Sequence, residues 1–383
     1  MGIWKDSFVA YPDTLTPILF YYCLIKHTLH SYKMTSPEIR EFTVKIPRER
    51  GERLKRKPRD TRLPGQEIVP GAGTRYVTGL STTEPEYNWT DDLYEKWTDD
   101  FDWYFVQDKI NEPSHYIGEF EAVQIHFRHS RSKTANAISL LLIHWWPAVF
   151  YEFSRVWGPM LHPVNENEQA LHVVVPSVPG FCCSNWPPKA GWTLQDTVRL
   201  FDSVMKKLGY NEYMVQCGGT RHFVGRELGM RCTPSCKLIH FNFIPSEMPN
   251  NAKSWTEREH AIAERKEDRY ENHLGYAVCM RTRPHTIRIG LHDKILIMPS
   301  TRCFSENLPN EEFVEFTTDF CSSSLKVRFG YSSFLGDTEH SSKRMVEMTG
   351  KVSMTMGDIS LLWSALGNLF KMSGSWQLKN WKK

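Results

Sequence analysis

The chain has 383 residues, long for one domain and short for three, with 40% apolar and 24% charged residues. Those values exclude a collagen, a coiled coil and a wholly disordered chain, and they allow a sizeable core. The 47 basic and 44 acidic residues leave a net charge of +3, so no global basic field points to nucleic acid or an anionic membrane surface. Cysteine is present at nine positions with no CxxC pair; Cys182 and Cys183 are adjacent, and Cys217, Cys232 and Cys236 are irregularly spaced. This pattern reads as reduced thiols in a cytoplasmic protein.

Residues 1–35 do not match the rest of the chain. The apolar run 17–25, Pro17 to Ile25, is too short for a membrane span, which takes about 20 apolar residues. Asp13 stands where a signal peptide is basic, and no small-residue cleavage site comes after the run. The segment reads as an unstructured or wrongly translated leader with Met34 as the natural start; a weak membrane tether is the alternative. Residues 47–75 are basic and rich in Pro and Gly, as in an extended arm lying on another surface. Trp89, Trp97, Trp103 and Tyr104 among acids in 86–112 suggest amphipathic helices.

From about 120 the pattern changes. Val123-Gln124-Ile125-His126-Phe127 alternates like a half-buried strand, whereas Ile138–Ile143 and Leu171–Val175 are continuous apolar runs. Leu194, Val198, Phe201, Val204, Met205 and Leu208 have helical spacing, with Thr193 as N-cap and Gly209 as stop. Tyr213–Val215 and Leu238–Phe243 read as further strands, 255–272 as a helix, and Val352–Leu369 as strand, turn and helix. Apolar strands alternating with helices predict an α/β fold, a mostly parallel sheet covered on both faces. The segments are an odd leader (1–35), an arm (36–120), a first core part (121–250), an inserted helical cap (251–345) and a second, short core part (346–383).

Ligands of such sheets sit beyond the carboxyl ends of the strands. Three ends stand out: His144-Trp145-Trp146-Pro147, Pro176-Ser177-Val178-Pro179-Gly180-Phe181, and Gln216-Cys217-Gly218-Gly219-Thr220-Arg221-His222-Phe223. The last runs from a strand through glycines into a helix, the layout of a nucleophile elbow. Thr282-Arg283-Pro284-His285-Thr286 lies in the cap segment, and Ile39–Pro47 and Thr61-Arg62-Leu63-Pro64 in the arm.

Taken in order, these motifs resemble the epoxide hydrolases of the microsomal and juvenile-hormone type, in particular their fungal soluble members, over roughly residues 39–371. The resemblance implies an α/β-hydrolase fold with an N-terminal arm and a helical cap. It also implies a two-step reaction that needs no metal and no cofactor. An elbow carboxylate opens a hydrophobic epoxide to an ester, a His activates water to hydrolyse it, an acid orients the His, and two cap tyrosines hydrogen-bond the ring oxygen.

Individual positions depart from that pattern. Where the family reads Gln-Gly-Gly-Asp-x-Gly-x-Phe, an ungapped match puts Gly219 in the nucleophile slot, with Cys217 two before it and Arg221 two after it. A one-residue slip puts Thr220 there, beside His222; Cys217 is a weaker nucleophile candidate. Asp358 falls on the relay acid or serves as a helix N-cap. The Gly-Gly-His-Phe segment that carries the base is unmatched, the chain running Ser373-Gly374-Ser375-Trp376 instead. Tyr276 and Tyr331 fall at or near the cap tyrosines. His144 packs beside the oxyanion hole, and Trp145, in place of a Gly and ahead of Trp146 and Pro147, narrows it. The expected reading is a family member with an impaired triad. A repurposed acid/base catalyst, for cyclisation or isomerisation, and a non-catalytic or decayed homologue are the alternatives. The expected partner is a hydrophobic small molecule, with no nucleic acid and no transmembrane span; a homodimer is left open.

Overall fold

The computed structural model describes residues 38–61, 94–145, 148–164, 168–188, 191–244, 248, 250–272, 275–283, 286, 325–331 and 350–354. The run 17–25, Trp146, Pro147 and Asp358 lie outside the described residues. One mixed sheet of nine strands organises the rest: β1 (Arg40–Phe42), β2 (His115–Phe120), β3 (Val123–Ser130), β4 (Ile138–Ile143), β5 (Leu171–Pro176), β6 (Tyr213–Cys217), β7 (Cys236–Phe241), β8 (Leu325–Tyr331) and β9 (Gly350–Met354). The strand order is β1-β2-β3-β5-β4-β6-β7-β8-β9. Pairings from β1 to β5 are antiparallel, and all those from β5 to β9 are parallel. The expected mostly parallel sheet is therefore present, with an antiparallel edge built from the arm.

The runs 138–143 and 171–176 are buried along nearly their whole length, as strands covered on both faces must be. The alternating segment at 123–127 is not half-buried: β3 is buried from Val123 to Arg128, because β2 and β5 flank it and layers lie on both faces. Its Gln124, His126 and Arg128 face inward too, so polar alternation misreported exposure.

Two helices flank the arm, α1 (Arg48–Arg59) and α2 (Trp103–Asn111). The stretch expected to be an extended arm is thus helical where it is described. Gly51, Leu54 and Pro58 form one buried stripe at helical spacing, and the Arg, Lys and Glu residues between them are good helix formers. Gly51 is required there: a Cβ would come 2.5 Å from the Tyr104 hydroxyl oxygen. Within the arm, Asn111 at the end of α2 holds the segment after β1 through Val44, accepting from its N–H at 2.9 Å and donating to its carbonyl at 2.8 Å.

Beyond β4 come a short helical turn (Phe150–Phe153) and α3 (Trp157–Leu161). Helix α4 (Leu194–Lys207) starts at Thr193 with a reciprocal capping box to Asp196 and buries Val198, Leu200, Phe201, Val204 and Met205. Gly209, at φ +88°, stops it as expected. Helix α5 (His222–Arg231) follows β6 directly, and α6 (Glu257–Asn272) and α7 (Gly275–Thr282) open the cap segment. That segment is not wholly helical: β8 lies inside 251–345 and pairs parallel with β7. Among the described residues no helix is long and apolar enough to cross a membrane.

Candidate active site

Parallel strands aim their carboxyl ends at one edge, so His144 after β4, Ser177 after β5, Gly218 and Gly219 after β6, and Asn242 after β7 converge there. Tyr331 closes β8 opposite Phe241, on a sheet strand rather than a cap helix. Tyr276 lies on α7.

At the elbow, β6 ends at Cys217, and Gly219–Arg221 form a single tight turn into α5. Gly219 is the left-handed residue, at φ +51°. A nucleophile elbow forces such an angle on its central residue. Gly218 is needed beside it: a Cβ there would fall 1.4 Å from Asn242 Oδ1. Cys217 is fully buried, and burial pushes its thiol well above the ordinary range, which disfavours the reactive thiolate. Its sulfur explains Gly225, where a Cβ would come within 2.3 Å of it.

The histidines near the elbow are committed to backbone partners. His222 Nδ1 lies 2.8 Å from the Gly219 carbonyl; a carbonyl only accepts, so this nitrogen carries the proton. Burial pulls that imidazole down to about 3. His144 Nε2 accepts the Val178 N–H at 3.1 Å, so the proton sits on Nδ1, which faces the Trp145 carbonyl at 3.4 Å. Burial, then the charge of Arg221, brings His144 down to about 3. It pins two loops together. Arg221 stacks on Phe181, its guanidinium 4.6 Å from the ring centroid.

Two features of this edge received no role from the sequence motifs. The first is Glu152, whose Oε1 accepts the Trp145 N–H at 3.2 Å. Burial raises this carboxyl well above the ordinary range, against the pull of its bonds from Trp145. The second is a seam of imidazoles under the β4 and β5 ends. His115 Nε2 donates to the Ile110 carbonyl at 2.7 Å; its Nδ1 then accepts from His126 Nε2 at 2.9 Å, and His126 Nδ1 accepts from the Ser177 hydroxyl at 2.8 Å. Ser184 donates to the Ser177 carbonyl at 2.7 Å and accepts the His126 N–H at 3.0 Å. The pairing of His115 with His126 is signalled by their inward parity on adjacent strands, which appears only once the register is known.

Comparison with known proteins gives this geometry a context. Residues 39–153 match the family model described as the epoxide hydrolase N terminus. A Stigmatella aurantiaca protein that carries an epoxide hydrolase name is 29% identical over 262 residues, 67% of this chain and 57% of that one. The juvenile hormone epoxide hydrolase of Bombyx mori is 24% identical over 270 residues, 66% of this chain and 56% of that one. Among solved structures, the Aspergillus niger epoxide hydrolase superposes with a TM-score of 0.68 at 26% identity, covering 84% of this chain and 89% of that one. The chain spans little more than half the length of the first curated relatives it matches.

Proposed function

We infer, for a chain that belongs to the epoxide hydrolase family of the microsomal and juvenile-hormone type, that its own elbow does not carry out the family's covalent hydrolysis of a hydrophobic epoxide to a diol. One observation carries this reading. The left-handed residue at the centre of the turn after β6 is Gly219, which has no side chain to attack an epoxide carbon. Two nearby groups do not replace it: Cys217 is buried with its thiol raised, and His222 uses its proton on the Gly219 carbonyl. Losing one member of a catalytic unit typically costs about 10⁴ to 10⁶ in turnover. Purified protein incubated with a panel of aryl and alkyl epoxides should give neither diol nor a covalent ester by mass spectrometry. Diol formed at rates typical of active members overturns the reading.

A second reading is favoured by Glu152. A carboxyl beside the strand ends, bonded to the Trp145 N–H and pushed by burial towards its protonated form, suits acid/base chemistry such as cyclisation or isomerisation without a covalent step. In that reading Asp358, Tyr276 and Tyr331 are its candidate partners. It is checked by following hydroxy-epoxides for ring-closed products and comparing E152Q with the parent protein. In both readings the protein is cytoplasmic and acts on a hydrophobic small molecule, which fractionation of cells expressing the full chain checks.

A further inference from the structure

We propose that Trp145 and Gly219 are a matched pair, the Trp145 side chain occupying the seat that an elbow side chain would need, so that this elbow is built shut. The inference rests on Gly219 being the central residue of the elbow, and it adds a physical reason why the position holds no side chain.

A Cβ placed on Gly219 would come 2.9 Å from Trp145 Cε3, 3.1 Å from Trp145 Cβ and 3.6 Å from Cδ2. The first two distances are tighter than ordinary carbon contacts, which begin near about 3.5 Å. Neither backbone is free to open the gap. On one side, the Trp145 N–H is held by Glu152 at 3.2 Å, and its carbonyl faces His144 Nδ1 at 3.4 Å. His144 is itself fixed by the Val178 N–H. On the other side, the Gly219 carbonyl is held by His222 at 2.8 Å and the Gly218 carbonyl by the Arg221 N–H at 3.0 Å. The Trp145 side chain is 46% exposed, so its ring can swing towards solvent, but its Cβ moves only with the loop.

Two contacts at different depths predict a graded rescue. Trp145→Ala removes the ring contact and leaves the 3.1 Å one, whereas Trp145→Gly removes both. Gly219→Ala also bears a backbone penalty at φ +51°, but that penalty is common to every background and cancels in a double-mutant cycle. A carboxylate restored at 219 alone would likewise have no seat.

The test has two arms. In the first, thermal melts are recorded for G219A with Trp, Ala and Gly at 145. The Tm drop caused by G219A should be largest with Trp145, smaller with Ala and smallest with Gly, the extremes differing by a few degrees. In the second, G219D and the double variant W145G/G219D are incubated with styrene oxide and followed by intact mass. There the carboxylate oxygen bonds to an epoxide carbon, the ring C–O bond breaks, and the alkoxide takes a proton from water. The double variant should accumulate ester at least tenfold faster than G219D. Equal G219A penalties in all three backgrounds, or G219D reacting as fast as the double variant, overturn the pairing. Diol made by the parent protein would instead defeat the reading under which Gly219 is catalytically empty, and it would leave the melts to decide the pairing.

Discussion

Under the ends of β4 and β5, each ring nitrogen of His115, His126 and His144 has a partner, and the partners fix all three tautomers. At the end of β6 and β7, a few residues away, Gln216 Oε1 and Asn242 Oδ1 are buried without a partner among the described residues. A buried acceptor left alone costs about 1–3 kcal/mol, whereas a satisfied network makes one arrangement unique. The seam is therefore organised by its own hydrogen bonds and needs nothing from a catalytic group. The elbow keeps the backbone shape of a catalytic turn with a filled seat and spare acceptors. Support and chemistry are separable in this fold, and each side can be perturbed alone.

Acid should produce the largest effect, on the seam side. Burial holds His115 down to about 4, His144 to about 3 and His126 well below its ordinary 6.5. The unfolded chain binds more protons than the folded one once the pH is below about 6.5, so stability is present above that value and lost as pH falls towards 4. Each imidazole gives a slope of about 1.4 kcal/mol per pH unit in that window, and the three together about 4. Urea midpoints measured from pH 7.5 to 5 should fall steeply. A flat profile would mean that the seam is charged or open.

Next in size is His126→Ala. It leaves His115 Nδ1 and the Ser177 hydroxyl unpaired and opens a cavity beside Phe150, whose ring centroid lies 4.9 Å from that of His126. The expected loss is about 3–5 kcal/mol by equilibrium unfolding. A loss under about 1 kcal/mol would show that the seam is not a unit. The elbow counterpart is smaller. Gly218→Ala drives a methyl into Asn242 Oδ1 and should cost about 1–3 kcal/mol. Asn242→Ala alone should be near neutral, because it removes an unpartnered acceptor, and it should relieve much of the Gly218→Ala penalty.

Much of the scaffold was legible because local chemistry and global fold agree. Thr193, the apolar stripe of α4 and Gly209 define a helix that the structure reproduces with its capping box. The runs that became β4, β5 and β6 are apolar because both of their faces are covered. The arm was misread because Pro and basic residues were weighed over the stripe Gly51, Leu54, Pro58. The site was legible only as backbone. Gly219 follows from counting along the elbow, but the contact with Trp145 spans 74 positions of sequence and needs the β4–β6 pairing to exist. Glu152 was hidden for a similar reason. Its partner is the Trp145 N–H, a backbone group that no side-chain motif encodes.

Glu152→Gln should give the smallest effect and the sharpest one on the boundary between the two regions. A neutral carboxyl and an amide have nearly the same shape, and the amide oxygen can still accept the Trp145 N–H. If burial keeps Glu152 protonated, the substitution should change stability by less than about 0.5 kcal/mol near pH 4, while Glu152→Ala, which strands that N–H, costs about 1–2 kcal/mol. The pH dependence carries the sign. A carboxyl whose folded value is raised above its ordinary 4.5 contributes stability below that value and loses it as pH rises towards the folded one. Glutamine has no such loss, so melts of E152Q and the parent protein should coincide near pH 4 and separate in favour of E152Q as pH is raised. A carboxylate ionised in the fold and held by hydrogen bonds would reverse this, making E152Q the less stable protein at every pH above 5. It would also remove Glu152 as a proton donor.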